Sequence, residues 1–318
     1  MRVLRAPLVL VALLGAVIVV SFGVHAITRR TFSAGKPAGA TSTTSVPAAT
    51  TTTLPPIPHP VAGLSWVPLG QPTSGRAPME IAVIAGGTSG PTQVAVWLDA
   101  SLVRAELIPG LNVPGGRGWN PIGEVPVAAR STLLAAFNGG ALLTEAKGGF
   151  YAQGKTGAPL VAGAASLVIR TNGTATVGMW GRDASLGPDV AAVRQDLTLL
   201  VDGGAESPDV AKPAPYWGVT PAADQVVTRS GVGVDAAGNL VWIGGDGLTP
   251  TALAGLFVKA GCVRAMQLDI NHRYVIFNTY AVSSSGVVQG TKVLPGAYFS
   301  GDRYLTPDLR DFVTVQRR

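Results

Sequence analysis

The residues best equipped for chemistry lie in one stretch, 261–280, reading GCVRAMQLDINHRYVIFNTY. Met266, Leu268 and Ile270 alternate with Gln267, Asp269 and Asn271. A period of two predicts a strand with one apolar and one polar face. The polar face would line up an amide, a carboxylate and a second amide, with His272 and Arg273 directly after. Polar groups converging at a strand end are how many active sites are assembled. Asp and Asn here also read as the opening of a turn, because their side chains bond the backbone that follows. Two other apolar runs end in a polar residue and a glycine pair: LLAAF into Asn138-Gly139-Gly140, and LLV into Asp202-Gly203-Gly204. Such glycines let the backbone pass close to a ligand, although Asn-Gly is also a hairpin turn. Arg229 stands just before Gly231 and Gly233, which would leave room beside it. Glu145 adds a carboxylate in the loop after Gly140.

These residues need elements to hold them. Thr249 suits a helix N-cap with Pro250 at the first helical position. Leu253, Leu256, Phe257 and Ala260 then recur at helical spacing, and Gly261 fits the residue after the helix. Before it, VVTRSGVGVD and LVWI around an Ala-Ala-Gly-Asn turn predict a β-hairpin. Short strands are expected at 81–84, 92–98, 102–108, 133–137, 166–169 and 174–177, with a last one in the tail, and weaker helical patterns at 123–134 and 189–194. The expected class is α+β: one mixed or antiparallel, sheet-rich domain with few helices, over residues 63–318.

Composition narrows the function. The chain has 318 residues, 41 of them Gly and 24 Pro, with 13% charged, which suits a turn-rich sheet protein. The net charge of +6 comes mostly from Arg2, Arg5, Arg29, Arg30 and Lys36; without them 19 basic residues face 18 acidic. A near-neutral domain lacks the basic stripe that nucleic acid requires, so that partner is excluded. One cysteine, Cys262, excludes an internal disulfide framework and a cysteine zinc finger, and reads as an inert core thiol. His25 and His59 precede the domain, so His272 stands alone there and no histidine metal site is available. No G-x-S-x-G serine elbow is present, and Gly231-x-Gly233 is too short for a dinucleotide fingerprint. No motif names a cofactor.

Residues 7–24 form an almost unbroken apolar run flanked by arginines. Its length reaches the roughly 18 residues of a membrane-spanning helix and exceeds a usual signal-peptide core. Residues 1–30 therefore read as an uncleaved signal anchor, with cleavage after Val24-His25-Ala26 as the alternative. Residues 31–62 are rich in Thr, Ser, Ala and Pro, an extended spacer suited to holding a domain away from the bilayer. The domain is expected outside the cytoplasmic membrane.

Five segments in order resemble the phosphodiester glycosidase family, which is related to the catalytic domain of N-acetylglucosamine-1-phosphodiester α-N-acetylglucosaminidase. They are Phe137-Asn138-Gly139-Gly140, Leu200-Val201-Asp202-Gly203, Arg229-Ser230-Gly231-Val232-Gly233-Val234, the capped helix, and Leu268-Asp269. The similarity spans about 81–312 and looks closest to actinobacterial members in GMWGRD, VRQDL and AMQLDIN. It implies a hydrolase that removes a sugar from a sugar-1-phosphodiester, and it nominates Asn138, Arg229 and Asp269. The chain departs from the family after Asp269: Ile270-Asn271-His272-Arg273 stands where family members carry glycines and serines.

The residue types suit that reaction. A phosphate monoester, with a second ionisation near about pH 6, is a good leaving group, so little general-acid help is needed. One carboxylate as base or nucleophile, an arginine fork on the phosphate and amides on sugar hydroxyls would suffice. The expected roles are Asp269 for the first, Arg229 for the second, and Asn138 and Asn271 for the third. Gly139 and Gly140 would border the substrate, His272 would shuttle a proton, and Asp202 and Glu145 are held in reserve. The expected partner is a phosphorylated envelope glycan. The alternative is a non-catalytic envelope module that binds glycan through the same cleft.

Overall fold

The computed structural model of the protein describes residues 63–318, apart from 74 and 221–223. The apolar run at 7–24 and the spacer lie outside the described residues. Among the described residues no helix is long and apolar enough to cross a membrane.

Three antiparallel sheets make up the described chain. The largest has eight strands, and its centre joins Gly90–Leu98, Leu240–Leu248, Val227–Asp235, Cys262–Gln267 and Leu199–Asp202 side by side. A five-stranded sheet holds Leu133–Asn138 between Phe277–Val282 and Phe312–Arg317. A second five-stranded sheet is centred on Val190–Gln195. That segment is a strand, where the sequence pattern had suggested a helix at 189–194. Its alternation favours the pleat: Ala192 and Arg194 face oppositely to Val193 and Gln195, and a register shift between Val190 and Ala192 places Val190 with Val193 and Val168.

Alternation builds two cores from the large sheet. Leu240 and Trp242 face a cluster shared by all three sheets, together with Val232, Val234, Met266, Phe137 and Leu167. Val241, Ile243 and Ala265 face the other way, under the helix Pro250–Lys259. That helix starts as expected: the Thr249 side chain accepts from the Ala252 N–H at 3.0 Å, and Pro250 follows. It ends at Gly261, whose φ of 80° is the left-handed turn glycine tolerates. Leu253, Ala254 and Phe257 are fully buried, and burying a Leu or Phe side chain contributes about 1.5–3 kcal/mol each. Phe257 lies directly on Gly231 and Gly233; a Cβ there would come within 2.8 and 2.9 Å of its ring. Those glycines make room for the helix, not for a ligand beside Arg229.

Candidate active site

One strand end organises the charged residues. Val227–Asp235 pairs with Cys262–Gln267 in register from Val234 to Gly231. At Ser230 the ladder breaks: the Leu268 N–H donates to the Ser230 carbonyl at 2.8 Å, and the Ser230 N–H to the Asp269 carbonyl at 2.9 Å. Leu268 and Asp269 together oppose one residue, which is the pattern of a β-bulge. The bulge resets the alternation. Gln267 and Ile270 face Trp217 and Gly218 on the helix side, while Leu268 and Asp269 both face the inter-sheet side.

Asp269 is 3% exposed. Arg310 Nη2 donates to its Oδ2 at 2.9 Å and to the Gly140 carbonyl at 2.8 Å. The Asn271 N–H donates to its Oδ1 at 2.8 Å. Burial pushes the Asp269 carboxyl up to about 6 against the pull of Arg310, and Glu145 adds to the rise. Arg310 stacks over the Tyr274 ring at 4.4 Å, and its Nε has no partner among the described residues. A half-buried guanidinium with spare donors beside a carboxylate titrating near neutrality can orient an anion while the carboxylate takes or gives a proton.

Asn138 closes the site from the neighbouring sheet. Its Nδ2 donates to Ser230 Oγ at 3.1 Å, and its Oδ1 accepts the Ile276 N–H at 3.4 Å. Behind Gly140 lies a second charged layer. Arg194, fully buried, donates from Nε to Asp311 Oδ2 at 2.9 Å and from Nη2 to the Ala141 carbonyl. Asp196, equally buried, accepts the Ala141 N–H at 3.0 Å, and its other oxygen has no partner among the described residues. Burial pushes Asp196 up to about 7; Arg194 opposes the rise, and Asp269 and Asp311 add to it. Three carboxylates and two guanidiniums thus form one cluster beneath the strand end.

Comparison with known proteins finds only distant likenesses. No family model and no curated sequence matches the chain. Among solved structures it is similar to the zebrafish N-acetylglucosamine-1-phosphodiester α-N-acetylglucosaminidase catalytic domain, auto-inhibited by its pro-peptide: 16% identity, 78% of this chain and 91% of that one, TM-score 0.44. It is also similar to a hypothetical protein from Synechocystis, at 12% identity over 77% and 63% of the two chains, with a TM-score of 0.43. A third likeness, to a protein described as exported from Burkholderia pseudomallei, has 12% identity over 70% and 73%, with a TM-score of 0.37. At these values the likenesses carry no argument, and the site rests on its own residues.

Of the residues the sequence singled out, Asn138 and Asp269 come together, joined through Ser230. Glu145, exposed on the short helix Leu143–Ala146, is an electrostatic neighbour of Asp269. Gly139 and Gly140 are close-approach glycines, but what approaches is protein: a Cβ at 139 would overlap Asp311, and one at 140 would lie 2.9 Å from the Arg194 guanidinium. Asn271 caps the turn that follows, its Oδ1 accepting the Arg273 N–H at 3.0 Å. His272 is exposed, with its ring edge-on to Tyr298.

Arg229 and Asp202 also differ from expectation. Arg229 is 2% exposed on the helix side of the sheet, where it donates to Gln267 Oε1 and to the carbonyls of Leu248, Trp217 and Gln225. Burial pushes it down to about 10. It does not face Asp269, because the bulge sends the two side chains to opposite faces. Asp202 lies near the other end of the Cys262–Gln267 strand, opposite Arg264, and is held by Arg182 at 2.7 Å and Arg264 at 3.1 Å. Its glycine pair, at φ 63° and 79°, makes a tight hairpin turn. Cys262 is a buried free thiol, as its context suggested.

Sequence reasoning missed Arg310, Ser230 and the Arg194–Asp196–Asp311 layer. A signal existed: Arg194 and Asp196 lie inside VRQDL, two charges at the end of a strand whose preceding residues are apolar. Buried charges in such a place call for partners elsewhere in the chain.

Proposed function

We propose that the protein is an extracytoplasmic hydrolase cleaving the bond between a sugar C1 and a phosphodiester oxygen in a cell-envelope glycopolymer. The observation that carries this reading is the Asp269–Arg310 pair: a buried carboxylate raised to about 6, bonded to a guanidinium whose Nε has no partner among the described residues. Asp269 takes a proton from the attacking water, or itself attacks C1 to give a glycosyl ester that a water molecule then hydrolyses, restoring the carboxylate. The C1–O bond breaks, the electron pair leaves on the phosphate oxygen, and a free sugar and a phosphate monoester result. Arg310 neutralises the phosphate as charge builds on it, the part the sequence pattern had given to Arg229. Asn138 is a positioning residue, since both ends of its amide are occupied by Ser230 and Ile276.

The finer parts of the reading rest on sequence. An anchor at 7–24 and a spacer at 31–62 would hold the domain within reach of wall polymers such as an N-acetylglucosamine-1-phosphate linkage. The likeness to actinobacterial members rests on GMWGRD, VRQDL and AMQLDIN. Incubation with a methyl phosphodiester of N-acetylglucosamine 1-phosphate tests the reaction. Release of N-acetylglucosamine with methyl phosphate supports the hydrolase; saturable binding without release favours the glycan-binding module.

A further inference from the structure

A cleft of about 330 Å³ opens at the same end of the large sheet as Asp269. Register fixes that placement. Thr228 and Asp246 flank the paired residues Arg229 and Gly245, Thr92 adjoins Gln93, which pairs with Gly245, and Arg229 is the neighbour of Ser230 at the bulge. His272 and Val275 line the cleft from the turn that follows Asp269, and Leu294 adds an apolar wall.

The lining has a definite chemistry. Asp246 Oδ1 accepts the Thr228 hydroxyl at 2.6 Å, and its main-chain carbonyl accepts Gln93 Nε2 at 2.6 Å, so the loop carrying the carboxylate is held in place. Asp246 is exposed, and its Oδ2 has no partner among the described residues. Gly245 lies so close to Thr92 and Gln93 that no side chain fits there, and the ladder shifts between Val227 and Arg229. This irregular strand end turns Asp246 out of the sheet. No Lys or Arg lines the cleft. A free carboxylate without a cation repels phosphate but accepts paired hydroxyl donors, and the volume suits about one or two pyranose rings.

The geometry points to this cleft as a binding subsite for uncharged sugar residues of the polymer, beside the Asp269–Arg310 site that takes the phosphodiester. Asp246 accepts the sugar hydroxyls, and His272 and Thr92 contribute polar contacts. The inference rests on the hydrolase reading only for the position of the scissile bond.

Calorimetric titration of the full chain with maltotetraose and with chitotetraose tests it. At least one of these neutral tetrasaccharides should bind saturably, and Asp246→Ala should weaken that binding about tenfold or more, the scale of a lost charged hydrogen bond. His272 is exposed, so His272→Ala is a second variant with an undisturbed fold; it should weaken the same binding. Asp202→Asn, near the other end of the sheet, should leave it unchanged. No saturation by either sugar at about 10 mM, or binding indifferent to both cleft variants, overturns the inference. Sugar binding without phosphodiester cleavage would instead sink the hydrolase reading and leave the cleft standing.

Discussion

Arg229 and Asp269 lie on opposite faces of the large sheet, although unbroken alternation from the Gly231–Gln267 pair would set them side by side on one face. The two-against-one pairing of Leu268 and Asp269 with Ser230 separates them. The guanidinium at the carboxylate therefore comes from Arg310, on the approach to the Phe312–Arg317 strand.

Arg229→Ala and Arg310→Ala should fail in different ways. Removing Arg229 strips donors from Gln267 and from the carbonyls of Leu248, Trp217 and Gln225. Unmet buried acceptors cost about 1–3 kcal/mol each, so urea denaturation should show a clear loss of stability. Competitive inhibition by a sugar 1-phosphate should be unchanged in the folded Arg229 variant and should weaken about tenfold or more for Arg310→Ala. The reverse pattern would return the anion to Arg229.

The carboxylate cluster makes stability depend on pH. Asp196 rises from 3.8 to about 7 on folding and Asp269 from 3.8 to about 6. A carboxyl raised in this way binds more protons folded than unfolded, so stability is highest below its unfolded value and falls as pH climbs to the folded one. Thermal midpoints should therefore decline between about pH 4 and 7 through this cluster. Asp196→Asn should flatten the decline; an unaltered slope would remove Asp196 as its source.

The rate should respond to pH in the opposite sense. In the proposed reaction Asp269 acts ionised, so kcat/KM for phosphodiester cleavage should rise with pH through about 6 and level off above it. A rate that falls over that interval would make Asp269 the acid.

Gly139 is a packing glycine. Its backbone donates to the Asp311 carbonyl at 3.0 Å, and an added methyl would collide with the Asp311 side chain. Gly139→Ala should cost about 1–3 kcal/mol through overpacking, read from denaturant midpoints, and should displace the Arg194–Asp311 pair. A neutral outcome would show that Asp311 can shift.

Much of the fold is written locally. Thr249, Pro250 and Gly261 punctuate the helix, and alternation marks the strands around Trp242 and Met266. The candidate site is legible in part. Asp269 and Asn138 stand at strand ends, where sequence reasoning looks for function. The rest depends on tertiary facts without a local signature. A bulge adds one residue to a strand and reverses every later side chain, yet Leu268-Asp269 reads as ordinary alternation. Arg310 lies 41 residues beyond Asp269, in a segment whose own pattern announces only a strand. Asp202-Gly203-Gly204 imitates Asn138-Gly139-Gly140 in type but closes a hairpin near the far end of the sheet.

The most direct measurement is steady-state hydrolysis of the N-acetylglucosamine 1-phosphate methyl diester by the full chain and by Asp269→Asn. The native protein should release N-acetylglucosamine and methyl phosphate, and the variant should lose about 10²–10⁴-fold in kcat with its fold intact. Equal turnover by both proteins would contradict the assignment of Asp269 as the reacting carboxylate.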